Sequence, residues 1–143
     1  MRMHTLILMA MGLTAMAAAP KNEKESMAGT WRAESFTTDG VDAPQDFLDR
    51  TKLTIEGDRY ILTVGEHMLK GTYKIDPEKT PKTIDIHYEN LDITQGRIIQ
   101  GIYVLEGDTL KTCFAWSGFE RPTKFESPVW GGRRLEIWKR VKP

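Results

Sequence analysis

The chain has 143 residues, of which 40% are hydrophobic, and its 20 basic side chains balance its 20 acidic side chains. That length fits one compact domain, and no shift in composition divides it into two halves that could each bury a core. Because neither charge sign forms a block or a stripe, the sequence disfavours nucleic-acid binding and attachment to an anionic membrane surface.

The first residues have the three zones of a secretory signal peptide. Arg2 gives a short basic start, residues 6–15 form an apolar run, and small residues follow. The apolar run is shorter than the roughly 20 residues that a transmembrane helix needs. We therefore predict a signal peptide over residues 1–17, its end placed to within about two residues. A flexible linker over 18–26 and one folded domain over 27–143 should follow, in a secreted or periplasmic bacterial protein whose mature form has no membrane span.

Beyond the linker, short runs rich in β-branched and aromatic residues alternate with Gly, Asp and Pro turn signals, which is typical of an all-β protein. Strict alternation of apolar and polar residues in these runs indicates strands with one buried face and one wet face. The turns at 56–58 and 106–108 both read Glu-Gly-Asp, since a tight hairpin favours glycine. We predict eight strands, over 30–37, 52–56, 59–64, 68–75, 83–88, 98–106, 109–116 and 134–141.

One segment, residues 42–50, is typical of a helix, with Asp42 as its N-cap and Pro44 in its first turn. It lies between the first two predicted strands. A strand meander must hide its two sheet edges, and closing the sheet into a barrel removes them. Eight strands close around an interior that side chains fill or that holds one small ligand. We therefore predict an all-β, antiparallel up-and-down barrel and leave the state of its interior open.

The first strand opens with Gly29-Thr30-Trp31. This Gly-x-Trp resembles the signature at the start of lipocalin barrels, in which the Trp closes one end. In an up-and-down barrel the last strand runs antiparallel beside the first, so its end should lie next to Trp31. We expect Arg140 to place its cation over the indole, a structural contact worth about 0.5–2 kcal/mol.

A wider resemblance is carried by fragments that follow one another in order between Gly29 and Lys142. They are 29–31 (GTW), 53–58 (LTIEGD), 71–77 (GTYKIDP), 81–86 (PKTIDI), 101–103 (GIY), 105–111 (LEGDTLK), 113–115 (CFA) and 121–123 (RPT). Together they are similar to the small lipocalin-like domain that recurs as paralogues in planctomycete-type bacteria. The resemblance implies an exported or modular β-barrel of unestablished activity and supplies no catalytic residue. Residues 130–134 depart from the pattern.

The candidate ligand-binding residues are aromatic and aliphatic side chains at expected inward positions: Tyr60, Leu62, Tyr73, Ile86, Tyr88, Tyr103, Phe114 and Trp116. A buried phenol usually needs a hydrogen-bond partner, so inward tyrosines would give an apolar interior some polar groups. The alternative is that the same side chains pack as a plain core. The assignment depends on strand register, because a shift of one residue would turn these side chains outward.

The connection over 117–133 contains Phe119, Phe125 and Trp130 among several Gly and Pro residues. Exposed aromatic residues on a long loop favour a binding rim or a surface for a protein partner. Alternatively, the loop adds a short strand over 123–126 and folds its aromatic residues back over the barrel mouth.

The sequence contains no pattern typical of catalysis or of a cofactor site, since no serine lies in a nucleophile elbow and no Gly-rich loop opens a helix. Cys113 is the only Cys, and we expect it to be a buried apolar residue. Asp85, His87 and Glu89 would project from one strand face but lack ligands from a second strand. We therefore expect no metal, no cofactor and no catalytic residue.

Three hypotheses follow, because a fold does not fix a function. The leading one is an exported module that binds a small, partly apolar ligand, with residues 117–133 and 43–50 near the entrances. The second is a solid-core module that binds another exported protein through the 117–133 loop. The third is an enzyme acting on a small hydrophobic substrate, which requires two convergent ionisable groups in the interior.

Overall fold

The computed structural model describes residues 22–89 and 98–143, so the predicted signal peptide lies outside the described residues. Within these ranges the chain forms two short helices and nine strands. They are α1 (Glu23–Met27), β1 (Gly29–Thr38), β2 (Val41–Asp42), α2 (Gln45–Asp49), β3 (Thr51–Glu56), β4 (Arg59–Val64), β5 (His67–Asp76), β6 (Thr83–Tyr88), β7 (Ile99–Glu106), β8 (Thr109–Ala115) and β9 (Arg133–Arg140). No helix in the described ranges is long and apolar enough to cross a membrane.

All strands except β2 close into an antiparallel barrel. Each of these strands pairs with the next along the chain, and β9 pairs with β1 to complete the ring. The closing ladder runs from Trp31 opposite Arg140 to Thr38 opposite Arg134, with a register shift at Ala33. The predicted all-β up-and-down barrel of eight strands is therefore confirmed, and closure removes the sheet edges that would otherwise be exposed.

Strand β2 is an addition that the sequence did not predict. It pairs with Thr37 and Thr38 of β1, and the turn between them has positive φ at both Asp39 (47°) and Gly40 (80°). Two positive φ values are what a tight two-residue hairpin requires. A strand of two residues is too short to produce a detectable alternation.

The barrel core is formed by the inward side chains of all eight closing strands. The buried hydrophobic cluster includes Trp31, Ala33, Phe36, Leu53, Ile55, Tyr60, Leu62, Tyr73, Ile84, Ile86, Tyr88, Tyr103, Leu110, Phe114 and Trp138, together with Met27 and Leu48 from the two helices. Burying one large apolar side chain contributes about 1.5–3 kcal/mol. This core therefore stabilises the fold without a disulfide, since Cys113 is a free, buried thiol.

Helix α1 closes one end of the barrel, which we call the α1 end. The indole Nε1 of Trp31 donates a hydrogen bond to the carbonyl of Met27 at 3.0 Å. The guanidinium carbon of Arg140 lies 4.3 Å from the Trp31 ring centroid, as expected from the antiparallel closure. Arg140 also donates to the carbonyls of Ser26 and Ala28, at 2.6 and 2.8 Å. The pairing of Trp31 with Arg140 across the closing ladder thus brings the indole and the guanidinium together.

The described part of the segment predicted as a linker, residues 22–26, contains the N-cap and most of α1. Asn22 caps α1 by accepting a hydrogen bond from the backbone of Glu25 at 2.8 Å. Glu23 is held by Lys82 and by the Tyr103 hydroxyl, and Met27 is fully buried. A run of charged residues indicates a solvated segment when read from sequence alone, but here the Glu23 carboxylate has partners at Lys82, just before β6, and at Tyr103 on β7.

Helix α2 lies at the opposite end, the α2 end, and is shorter than the helix predicted over 42–50. Asp42 is not its N-cap, because Asp42 belongs to β2, where its carboxylate accepts a hydrogen bond from the Thr37 hydroxyl at 2.8 Å. Pro44 occupies the N-cap position without a side-chain hydrogen bond. The turn at Asp39 and Gly40 therefore places Asp42 in the β1–β2 hairpin. The helix begins at Gln45, whereas the prediction had it begin at residue 42.

The connection between β8 and β9 lies along the outer wall of the barrel, and the short strand predicted over 123–126 does not form. Arg121 fixes this connection to the wall. Its Nη1 donates to the carbonyl of Gly101 at 2.8 Å, and its Nη2 lies 2.7 Å from the Asp85 carboxylate. The Cys113 thiol is buried beneath the connection and donates to the carbonyl of Glu126 at 3.4 Å. Most of the loop therefore covers a strand face that would otherwise be wet.

Candidate functional site

A group of polar side chains lies inside the barrel on β8 and β9. Arg134, Glu136 and Trp138 alternate along β9 on the inward side, and Thr112 of β8 lies opposite Glu136. The Thr112 hydroxyl and the Trp138 indole N–H both donate to Oε1 of Glu136 at 3.0 Å. Arg134 Nε lies 2.6 Å from Oε2 of the same carboxylate. We call Thr112, Arg134, Glu136 and Trp138 the interior cluster.

The charge pair in this cluster is not explained by stability. Glu136 is only 1% exposed, and removing two charges from water costs several kcal/mol per ion before their attraction offsets it. Well-packed apolar residues of similar size are often equally stable or more stable at such positions. A buried pair that persists in a barrel interior is therefore a candidate functional feature.

One polar atom of the interior, the hydroxyl of Tyr73, lacks a partner among the described residues. Nε of Arg134 and Oε2 of Glu136 make no other hydrogen bond, but they lie 2.6 Å apart and are each other's partners in the ion pair. An unsatisfied buried polar atom costs about 1–3 kcal/mol. The Tyr73 hydroxyl therefore indicates a place where a water molecule or a ligand group would be accommodated.

Two aromatic rings flank the Arg134 guanidinium at the α2 end. Its central carbon lies 5.5 Å from the Phe36 ring centroid and 5.3 Å from that of Trp116. Phe36 in turn makes edge contacts with Trp138 and with Phe47 of α2, at centroid distances of 5.0 and 5.8 Å. The Arg134 side chain is 23% exposed, so it lies at the boundary between the interior and solvent.

Trp116 corrects one of the sequence-based assignments. It was predicted as an inward residue of a strand, but β8 ends at Ala115, and Trp116 is 41% exposed. Its backbone N–H donates to the carbonyl of Gly132 at 2.9 Å, which directs the chain into the loop. The side chain therefore lies at the mouth, over Arg134, instead of inside the barrel.

Three of the predicted tyrosines are neighbours inside the barrel. The Tyr60 ring centroid lies 5.9 Å from that of Tyr73 and 6.3 Å from that of Tyr88. Burial raises the pKa of Tyr60 well above its ordinary value, and the nearby Glu136 charge raises it further. Burial also raises the pKa of Tyr88, and that of Tyr73 to about 12. All three phenols are therefore protonated near neutral pH, and each hydroxyl carries a proton that it can donate.

The remaining predicted residues divide between the barrel wall and the α1 end. Leu62, Ile86 and Phe114 are buried inside the barrel. The Phe114 ring lies so close to Gly101 that a Cβ there would be 2.5 Å from a ring carbon. Tyr103 instead donates to the Glu23 carboxylate at the α1 end, where burial and this hydrogen bond raise its pKa. The structure therefore does not bring Tyr103 to the interior cluster.

Sequence reasoning missed Thr112, Arg134 and Glu136. An alternation of charged residues is usually read as a wet strand face, because charged side chains are almost never fully buried without a partner. The useful signal was Trp138, since a large inward aromatic residue places positions 136 and 134 on the same face. Assigning alternate residues of β9 to the inward face, without regard to their charge, would have identified the cluster.

The polar groups of the interior cluster are engaged with one another. Oε1 of Glu136 accepts two hydrogen bonds and its Oε2 contacts a guanidinium, so the carboxylate is engaged by donors and is a poor general base. The protonated phenols are donors and not nucleophiles. Among the described residues, no group of three or more His, Cys, Asp or Glu side chains could hold a metal ion.

A second candidate surface lies where the β1–β2 hairpin meets the loop before β9. Trp130 is 89% exposed and has a φ of 61°, a strained value for a bulky residue. Val129 and Val41 are also exposed. The Val129 side chain packs against Gly40, the residue before Val41. We call Val41, Val129 and Trp130 the Trp130 surface.

The other two aromatic residues of the loop contact their own chain. The Phe125 ring lies under the Lys111 ammonium, with a distance of 4.8 Å to the ring centroid. Phe119 packs against Gly132, and the Arg133 guanidinium lies 5.9 Å from its ring centroid. Phe119 and Phe125 therefore help to attach the loop to the barrel, whereas Trp130 does not.

Comparisons with known proteins support the fold. No family model and no curated protein matches this chain. Among solved structures it is similar to a DUF4847 family protein from Bacteroides vulgatus ATCC 8482, with a TM-score of 0.52 and 11% identity, over 85% of this chain and 99% of that chain. At this level of identity the likeness concerns the fold alone, and any function must be argued from the site.

Proposed function

We propose that the protein is an exported lipocalin-like module that binds a small, partly apolar molecule at the α2 end of its barrel. The observation that carries the proposal is the buried pair of Arg134 and Glu136 in the barrel interior, whose guanidinium lies against a partly exposed Trp116. Export is supported by the signal-peptide zones at the start of the sequence.

In this proposal the ligand uses both kinds of surface that the α2 end offers. Its polar group contacts the interior cluster, whose two charges also act on the nearby phenols of Tyr60 and Tyr88. Its apolar part contacts the rings of Phe36, Phe47 and Trp116 around the guanidinium. Apolar walls with a few convergent polar groups are typical of small-molecule sites.

Native mass spectrometry of the mature protein tests the proposal. The protein is purified gently from its own host and incubated with host lipid extract, and its native mass is compared with its denatured mass. We expect an added mass that leaves on denaturation. The added mass should be lost in a Trp116→Ala variant and retained in a Trp130→Ala variant, which removes the same side chain from the outer surface. A bare mass for the native protein after incubation would contradict a ligand-binding role.

A second candidate function is binding of another exported protein through the Trp130 surface. It is supported by the strained φ of Trp130 and by the contacts that hold its loop in place. The Gly132 N–H donates to the Asp39 carboxylate at 2.9 Å, and the Ser127 hydroxyl donates to the Arg133 carbonyl at 2.7 Å. Strain of about 1–3 kcal/mol that the surroundings maintain at an exposed residue is typical of functional positions.

Site-directed photocrosslinking in the host tests this second function. A photoreactive phenylalanine analogue replaces Trp130 in one variant, and Val141, an exposed residue at the other end of the barrel, in a control variant. We expect one discrete crosslinked protein from position 130 and none from position 141. Equal or absent crosslinking from both positions would remove the case for this surface.

A further inference from the structure

We infer that the protein has a further binding site, in a cleft on the outer side of the barrel, and that this site takes a small acidic amino acid. Such a ligand carries two carboxylates and one ammonium. The cleft has a volume of about 150 Å³ and is lined by Pro122, Thr123, Lys124, Glu126, Pro128, Gly131 and Arg133. A water molecule takes about 30 Å³, so the cleft has room for one small molecule. The inference does not depend on the ligand proposed at the α2 end.

The guanidinium of Arg133 lies at this cleft and has donors without a partner. Arg133 precedes the inward Arg134 on β9, so its side chain lies on the outer side of the barrel. Its Nη1 donates to the carbonyl of Gly131 at 3.3 Å, and Gly131 also lines the cleft. Among the described residues, Nε and Nη2 of Arg133 have no hydrogen-bond acceptor. A guanidinium can bind both oxygens of one carboxylate through two such nitrogens.

The side chains of Lys124 and Glu126 also lack partners. Both residues are exposed, and within residues 22–89 and 98–143 neither side chain makes a hydrogen bond or an ion pair. By contrast, Arg121 of the same connection is paired with Asp85. The cleft is therefore lined by two basic side chains and one acidic side chain whose charges no protein group balances.

An acidic amino acid carries the opposite set of charges. Its two carboxylates match Lys124 and Arg133, and its ammonium matches Glu126. A dicarboxylate without the ammonium would bring negative charge to Glu126 with no donor for it, and an amino acid with a neutral side chain would leave one cation without a counter-charge. Because like charges at a binding site are costly and opposite charges give specificity, the lining favours the ligand with all three groups.

The walls of the cleft are fixed by contacts that do not use its charged groups. The Glu126 carbonyl accepts a hydrogen bond from the Cys113 thiol at 3.4 Å, which holds residue 126 on β8. The Ser127 hydroxyl donates to the Arg133 carbonyl at 2.7 Å, which joins the connection to β9. A site that is already ordered loses less free energy when a ligand binds. The cleft is thus built before any ligand arrives.

Probes that lack one charged group at a time test the inference. We would measure binding to the mature wild-type protein by isothermal titration calorimetry at neutral pH and low salt. L-Aspartate and L-glutamate are compared with succinate and glutarate, which lack only the ammonium, and with L-alanine, which lacks the side-chain carboxylate. An ion pair near the surface contributes up to about 1 kcal/mol. We therefore expect the better acidic amino acid to bind at least about fivefold more tightly than its dicarboxylate and than alanine.

A variant assigns the binding to this cleft. In Glu126→Gln the ammonium loses its counter-charge, so the ratio of the two Kd values for the amino acid and its dicarboxylate should fall to about one. Glu120→Gln is the matched control, because Glu120 is an exposed carboxylate of the same connection and does not line the cleft. Its ratio should equal that of the wild type. Circular dichroism verifies that both variants are folded, and the wild-type ratios decide the inference if Glu126→Gln is unfolded.

The outcomes separate this site from the one proposed at the α2 end. Dicarboxylate or alanine binding as tight as that of the acidic amino acids would overturn the inference, and so would an unchanged ratio in folded Glu126→Gln. If neither aspartate nor glutamate binds, the charges of the cleft are solvated surface groups and the inference is wrong. None of these results alters the added mass expected for the α2-end ligand, whose loss in Trp116→Ala is measured independently.

Discussion

The guanidinium of Arg140 lies 4.3 Å from the centroid of the Trp31 ring, and the same side chain donates to the backbone carbonyls of Ser26 in α1 and of Ala28 just after it. One residue of the last strand therefore contacts the first strand and the helix that covers the α1 end. This contact therefore helps to close the barrel at the end opposite Trp116 and Arg134.

Replacing Arg140 with Met should destabilise the protein by about 2–4 kcal/mol, because the cation–π contact and two charged hydrogen bonds are lost together. Urea denaturation followed by circular dichroism measures the free energy of unfolding. Lys142→Met is the matched control: Lys142 is exposed and lies 3.4 Å from Asp108, so its loss should cost less than about 1 kcal/mol. Equal effects in both variants would show that Arg140 does not hold the end closed.

A row of three cations on the outer wall should reduce stability. Arg32 of β1 lies directly opposite Lys139 on one side and Lys52 on the other. Like charges in cross-strand pairs are unfavourable, so Arg32→Glu should stabilise the protein by about 0.5–1 kcal/mol in low salt. The gain should shrink as salt is added, since salt screens exposed charges.

Arg59→Glu is the opposite control for the cation row. Arg59 pairs across strands with Glu56 and lies 2.6 Å from the Glu89 carboxylate, so its reversal places like charges together and should destabilise the protein. Urea denaturation at low and at high salt compares the two variants. If both Arg32→Glu and Arg59→Glu were stabilised, or neither were, cross-strand charge would not explain the changes in the free energy of unfolding.

The barrel could be predicted from the sequence because its strands carry their own local signal. Alternation of apolar and polar residues fixes which face is buried, and glycines mark the hairpins, so the order of strands and the approach of Arg140 to Trp31 followed. Residues 23–27 and 41–42 form elements of five and two residues. Elements this short contain too few residues for a periodic pattern.

The candidate site was only partly predictable. Tyr60, Tyr73 and Tyr88 were found because aromatic residues at inward positions indicate a core. Glu136 was missed, because its burial depends on Arg134 at one oxygen and on Thr112 from the neighbouring strand at the other. The pairing of β8 with β9 brings Thr112 to Glu136, and the sequence of one strand alone does not reveal that pairing.

Acid should weaken the contact between α1 and the barrel. Burial tends to raise the pKa of Glu23, but hydrogen bonds from Lys82 and Tyr103 outweigh it and lower the pKa below its ordinary value of 4.5. A carboxyl group whose pKa is lower in the folded state stabilises the protein above its unfolded pKa, and this contribution is lost as the pH falls through the folded value. Stability measured by urea denaturation between about pH 7 and 3 should therefore fall less steeply in Glu23→Gln than in the wild type. Glu25→Gln, on the exposed side of the same helix, should follow the wild-type curve.

Release of the outer loop should expose the single thiol. Cys113 is buried beneath the connection that Arg121 fixes to Gly101 and Asp85, and burial raises the pKa of the thiol, which lowers its thiolate fraction. The wild-type protein should therefore react slowly with a thiol reagent such as iodoacetamide under native conditions. Arg121→Ala removes the guanidinium contacts, so the loop should open more often and labelling should become about tenfold faster. Lys124→Ala, an exposed change in the same loop, is the control and should label at the wild-type rate. If Arg121→Ala labels no faster than this control, the remaining loop contacts, such as Phe119 on Gly132, are sufficient to keep the loop closed over the thiol.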